Sequence, residues 1–246
     1  MGLEFALFVA IGFFAQIVDG ALGMAFGVVA TSSLIASGSP PVVASAAVHA
    51  AEIFTTGISG GSHIWHRNVD WSLFRRLIIP GVIGGCVGAY VLTGLPEEIV
   101  MPIVTVYLAL MAVLIFLRVL AKTYRKWPVP IPALGFGGAF LDAIGGGGWG
   151  PIISSTLLAS GDEPRRTIGT VNTAEFIVTL SISLTFLSQL DMSRYAAVVL
   201  GLIVGGAMAA PLAGYLVKIL PSRIMLILVG TVISSLTVLN VVQLLV

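Results

Sequence analysis

The sequence predicts an all-α fold: a polytopic helical membrane protein built from two inverted-topology repeats, each a glycine-broken helical hairpin followed by three spanning helices. Composition, an internal repeat and the placement of loop charges predict it. Of the 246 residues, 57% are hydrophobic and only 9% charged, and the mean hydropathy is +1.07. A water-soluble domain carries about a quarter charged residues, so this chain cannot cover a water-facing surface. Asp19–Thr56 then recurs without a gap as Asp142–Thr179. Asp19, Gly23, Gly27, Ser32, Pro41, Ala51, Glu52 and Thr56 match Asp142, Gly146, Gly150, Ser155, Pro164, Ala174, Glu175 and Thr179. A repeat of about half the chain sets the architecture before any element is read.

The apolar stretch Leu3–Ser37 is too long for one crossing, and glycines interrupt it after Asp19. It reads as two half-helices, either a re-entrant hairpin or two tight crossings. Spans near the 20 residues a bilayer requires follow at Pro41–Gly60, Leu77–Leu92 and Ile99–Leu117. The second half repeats the plan with Ile131–Ser160, broken after Asp142, and then Thr167–Leu187, Tyr195–Val217 and Ile224–Val246. Residues 1–123 and 124–246 are thus the two repeats of one integrated membrane domain. Irregular backbone at the breaks must be buried in protein or line a wet cavity, because lipid offers its amides nothing.

Basic residues mark the cytoplasmic loops: Arg67, Arg75 and Arg76; Arg118, Lys122, Arg125 and Lys126; Arg165 and Arg166; Lys218 and Arg223. Gly94–Glu98 carries only acids and Ser37–Pro41 no charge, which puts both outside. Pro41–Gly60 therefore runs inward and Thr167–Leu187 outward, inverting the halves. Both termini are expected outside the cytoplasm, in a plasma membrane of the bacterial inner-membrane type. Glu4 stands where a signal peptide has its basic region, so no cleaved leader is expected. The single cysteine, Cys86, excludes an internal disulfide.

Two related halves in an apolar chain are the mark of a secondary transporter. Glycines at an interrupted helix let a ligand approach the backbone, and the N–H groups that begin a half-helix attract anions. The expected anion site comprises Gly146, Gly147, Gly148 and Gly150 with the hydroxyls of Ser155 and Thr156. Its first-half counterpart is Gly23, Gly27, Ser32 and Ser33, with Thr31 beside them.

The run Gly145-Gly146-Gly147-Gly148-Trp149-Gly150-Pro151, the Ser/Thr cluster after it and Thr170-Val171-Asn172 together resemble the TauE/SafE family of sulfite exporters, also called the 4-toluene sulfonate uptake permeases. The resemblance extends over essentially the whole chain. It implies carriage of sulfite, an organosulfonate or a related small anion, coupled to protons. The first half departs from the pattern: Gly20-Ala21-Leu22-Gly23-Met24-Ala25-Phe26-Gly27 has fewer glycines, and Val28 replaces the proline.

Glu52 and Glu175 lie about twelve residues into spanning helices, where an ionised carboxylate costs about 2.5–3.5 kcal/mol even on the lenient insertion scale. Their duplication makes them candidate proton carriers; the alternative is a structural carboxylate bonded to backbone amides. His49 and Asn172 precede them by three residues, on the same helix face. They are candidates to hold the anion or, for His49, to relay a proton. Asp19 and Asp142 directly precede the breaks and read first as helix-break caps. His63 and His66 lack a third metal ligand nearby, and Trp65, Trp71, Tyr124 and Trp127 suit an interfacial aromatic belt.

The expected function is a secondary carrier for a small anion, working by alternating access. Its expected partners are that anion, protons and the bilayer, with no cofactor, metal or nucleic acid; oligomeric state is not legible. An anion channel is the alternative. A membrane-embedded enzyme is disfavoured, since no G-x-S-x-G or H-E-x-x-H motif is present.

Overall fold

The structure, a computed structural model, describes residues 2–22, 24–120, 128–160, 162–219 and 222–245. Most of these residues are helical, with no strand among them. The first half holds α1 (Gly2–Leu22), α2 (Phe26–Ala36), α3 (Pro41–Trp65), α4 (Trp71–Gly94) and α5 (Glu97–Leu120). The second holds α6 (Ile131–Gly145), α7 (Ser155–Ala159), α8 (Pro164–Gln189), α9 (Ala196–Ile219) and α10 (Ser222–Leu245). A π-helical turn, Gly150–Ser154, leads into α7, and a 3-10 turn, Met192–Tyr195, leads into α9. Helices α3, α4, α5 and α8, and the 3-10 turn continuing into α9, contain stretches long and apolar enough to cross a membrane.

Local chemistry sets the helix starts. The Asp70 carboxylate accepts from Ser72 N at 2.8 Å and Leu73 N at 3.1 Å, beginning α4. Glu163 accepts from Arg165 N and Arg166 N, both at 3.0 Å, beginning α8. Both side chains satisfy amides that have no partner inside the helix. Proline stands in the first turn of α3, α6 and α8, where its missing N–H costs nothing. In the loop after α8, Asp191 accepts from the Ser193 hydroxyl at 2.6 Å and Arg194 Nε at 3.1 Å. These donors, Ser193 foremost, hold its carboxyl below the usual carboxylate range.

Packing joins the halves by exchange: α1 lies along α9, α6 along α4, α3 against α8, and α5 against α10. Small residues make the seams. A Cβ placed on Gly88 of α4 would lie 2.6 Å from Phe140 O and 3.0 Å from the Ala143 Cβ of α6. One on Gly12 of α1 would lie 2.7 Å from the Leu202 Cα of α9. Such close backbone approach is how helices associate where lipid removes the hydrophobic drive. Helices α3 and α8 pack antiparallel: the His49 ring lies 6.1 Å from the Phe186 ring, Gly57 meets Phe176, and Gly60 meets Thr173.

The two hairpins differ. Ile131 at the start of α6 and Ser160 just after α7 line one cavity of about 620 Å³ with Asp70, Arg76 and Arg166, so this hairpin begins and ends on the same face. At 15 residues, α6 reaches roughly 22 Å, short of a bilayer core of about 30 Å. The first hairpin breaks after Asp19 as expected, but its legs are unequal, α1 having 21 residues against the 11 of α2. Pro128, Pro130 and Pro132 stop α6 from extending backwards, and α1 has no proline. Large apolar side chains such as Ile58, Ile79, Val106 and Val238 cover the outer surface.

Candidate functional site

Helix α6 ends at Gly145, and the chain turns through Gly146 in the left-handed region, φ 68°, and Gly147 at φ 137°. The amides of Gly146 and Gly147 donate back to Asp142 O at 2.8 and 3.1 Å. The first half supplies donors to the carbonyls at the break: Ser45 Oγ donates to Ala143 O at 2.6 Å, Thr31 Oγ1 to Gly146 O, and the Tyr107 hydroxyl to Gly147 O. Glycine is required here for space as well. Side chains at Gly145 or Gly148 would collide with Tyr107, and one at Gly147 with the backbone of Gly27. All residues from Asp142 to Gly150 are buried, so the break faces protein and not lipid.

Carboxyl groups hold both half-helix starts. Asp142 Oδ1 accepts from Trp149 N at 2.9 Å, and its counterpart Asp19 Oδ1 accepts from Phe26 N at 3.3 Å. The Glu52 carboxyl lies beside the start of α2: a Cβ on Gly27 would lie 2.8 Å from Glu52 Oε1. Glu175 Oε1 stands near Gly150 in the same way, 3.9 Å from the Cβ position there. Asp19, Glu52, Asp142 and Glu175 are close enough for their charges to interact.

His49, fully buried, joins this cluster through Nε2, 3.3 Å from Asp142 Oδ2. Its Nδ1 lies 2.8 Å from Ser45 O, an acceptor, and so carries a hydrogen. In a neutral imidazole Nε2 is then an acceptor. The His49–Asp142 contact is therefore a hydrogen bond only if one further proton resides on the pair, on Oδ2 or on Nε2.

Other candidates lie elsewhere. Gly23 falls outside the described residues. The Ser33 and Thr156 hydroxyls donate to Val29 O and Ile152 O of their own helical turns, both at 2.7 Å, and not toward the breaks. Ser32 Oγ is buried without a partner, and Ser155 opens α7. Asn172 turns from the glycines toward Ser59 Oγ at 3.4 Å and His63 Nε2 at 3.5 Å. Tyr107 and Ser45 are the site residues that sequence reasoning missed. For Tyr107 a signal existed: a phenol in an apolar span needs a polar partner.

Residues 8–239 match the sulfite exporter TauE/SafE family. The chain belongs to that family. A curated relative, the probable membrane transporter protein YtnM of Bacillus subtilis (strain 168), is 41% identical over 234 residues, covering 91% of this chain and 78% of that protein. No solved structure matches. TauE/SafE membership and the apolar helices make this a membrane transporter, with the glycine breaks and their carboxyl groups at its buried centre.

Proposed function

We propose that this TauE/SafE protein is a secondary carrier for a small oxyanion of the sulfite or sulfonate class, coupled to protons and working by alternating access between two inverted halves. One observation carries the reading: the chain's own carboxylates occupy amides that begin each half-helix, Asp19 at Phe26 and Asp142 at Trp149, with Glu52 beside Gly27. A site occupied by internal anions accepts an external one by exchange. At about 4 Å, two like charges repel by roughly 4 kcal/mol at an effective dielectric of 20. The substrate therefore reaches these amides only as a carboxylate takes up a proton and releases them. When the substrate departs, the carboxylate sheds its proton and returns. His49 Nε2, 3.3 Å from Asp142 Oδ2, brings an imidazole to the same cluster.

The antiparallel contact between α3 and α8 supports the inversion. Repeat-equivalent helices related by a two-fold axis pack antiparallel when that axis lies across them, as it does in the membrane plane. In this reading the loop charges orient the halves with both termini outside a bacterial-type plasma membrane.

The test is pH-dependent sulfite flux in proteoliposomes for Glu52→Gln and Glu175→Gln. We expect wild-type flux to saturate and to run uphill under an imposed proton gradient, and each variant to lose at least about tenfold of the gradient-driven component, equivalent to 1.4 kcal/mol. Unchanged pH dependence in both variants would remove the coupling. Flux that neither saturates nor runs uphill would make the protein a channel.

A further inference from the structure

One face of α3 carries a polar stripe that leads away from the carboxyl cluster. Thr55, Ser59 and Ser62 follow Glu52 at i+3, i+7 and i+10, positions that share a helix face. All three line a cavity of about 530 Å³ between α1, α3 and α9, across which α9 presents only Ile203, Gly206, Ala207 and Ala210. Ten residues of helix rise about 15 Å, half of a bilayer core of about 30 Å. The stripe therefore reaches from the depth of Glu52 to the end of α3.

The inner end of the cavity is Gln16 of α1, only 9% exposed, whose side-chain oxygen has no hydrogen-bond partner. Asp19 lies one turn further along α1. A Cβ on Gly206 would lie 3.8 Å from Gln16 Oε1 and 3.7 Å from Cε2 of Phe26, the residue whose amide Asp19 holds. A buried polar atom without a partner costs about 1–3 kcal/mol. Water removes that cost in either orientation of the amide, because it both donates and accepts; an acyl chain removes none of it. At about 30 Å³ per water, the space holds on the order of ten. His63 stands at the outer end but is already engaged, its Nδ1 facing Asn68 Nδ2 at 3.3 Å and its Nε2 facing Asn172 Nδ2 at 3.5 Å.

The second half has no such space. Thr55 and Ser59 correspond in the repeat to Val178 and Ile182 of α8, both fully buried. These fill the gap against α4: Cβ atoms on Gly81 and Gly85 would lie 3.0 Å from Val178 Cγ2 and 2.7 Å from Ile182 Cγ1.

We propose that this cavity is a water-filled half-channel that carries protons between the membrane face where α3 ends and the Asp19–Glu52 side of the cluster, and that Glu175 has no inlet of its own. This inlet rests on the transport reading and gives its protons a route and a side, cytoplasmic in the proposed orientation. Each water or hydroxyl hands on one proton as it takes up another, and the last proton rests on a carboxylate. Besides Asp19, Glu52 and His63, the ionisable groups nearest the route are His66, three residues beyond His63, and Arg165 of α8, which binds Asn68 and the His66 carbonyl. Ala196–Ala210 of α9 carries none.

The first experiment asks whether the cavity is wet. Thiols react as thiolates, which form in water and not against apolar surroundings. In a Cys86→Ser background, Ser59→Cys in inside-out membrane vesicles is expected to react with a trimethylammonium methanethiosulfonate at least about tenfold faster than Ile182→Cys. An inert Ser59→Cys would mean a dry or lipid-filled cavity and overturn the half-channel, as would equal reactivity of Ile182→Cys. The second asks whether protons use it, by gradient-driven sulfite flux in proteoliposomes. Ser59→Leu should lose at least about tenfold of that flux, while Ser59→Asn, of similar size but polar, should keep most of it. Unchanged flux in Ser59→Leu, or equal loss in both variants, would overturn the proton route. The labelling needs no transport, so a dry cavity is told apart from a carrier that is not proton-coupled, which fails in the Glu52 and Glu175 variants.

Discussion

At the scale of single residues, the second break is held by three donors, two of which, Ser45 and Tyr107, have no copy in the other half. Thr31, Ser45 and Tyr107 bind its carbonyls, while their repeat positions are Ser154, Ile168 and Gly230. Tyr107→Phe keeps the ring and removes the hydroxyl, leaving the Gly147 carbonyl buried and unpaired at a cost of about 1–3 kcal/mol. The expected outcome is a melting temperature in detergent several degrees lower, with Thr93→Val on the same scan as a control for loss of a half-buried hydroxyl. An unchanged melt in Tyr107→Phe would mean the carbonyl finds another donor. This asymmetry also explains what the sequence revealed. Asp19, Glu52, Asp142 and Glu175 stood out because acids are costly in apolar runs and occur here in duplicate. Ser45 and Tyr107 are unduplicated, and Asn172 shares a helix face with Glu175 yet reaches Ser59 and His63 across the α3 seam. Helical spacing gives the face of a side chain and not the neighbour it meets.

At the scale of elements, α4 depends on its glycines. Gly84 and Gly88 admit α6, and Gly81 and Gly85 admit Trp149, Val178 and Ile182. Gly85→Val overpacks the α4–α8 seam, a change that costs typically about 1–3 kcal/mol. Pairing it with Ile182→Ala should restore part of the loss, measured as a double-mutant cycle of thermal stability. Strict additivity would mean the two side chains do not meet. The spans from α3 onward were legible because each is an apolar run bounded by Pro, Gly or charge. The unequal hairpins were less so: the residues of the repeat are matched from Asp19, while the prolines that shorten α6 lie before it.

At the scale of the molecule, Ser39 and Asp162 are repeat equivalents in the loops that follow the two hairpins. The proposed inversion puts them on opposite faces of the membrane. In a Cys86→Ser background, a membrane-impermeant maleimide is expected to label Ser39→Cys in intact cells and Asp162→Cys only after permeabilisation. Labelling of both from one side would mean parallel halves. The duplication was plain in the sequence, but the exchange of α1 and α6 between halves was not, because a repeat reveals likeness and not partners. That exchange has a cost during synthesis. Gly12 of α1 meets Leu202 of α9, so the ribosome must add about 190 residues before the first helix can find its mate. At roughly 5–20 residues per second, α1 waits on the order of 10–40 s at the insertion machinery with its glycine face bare. A truncated message that stops before α9 should therefore yield a protein that quality-control proteases remove.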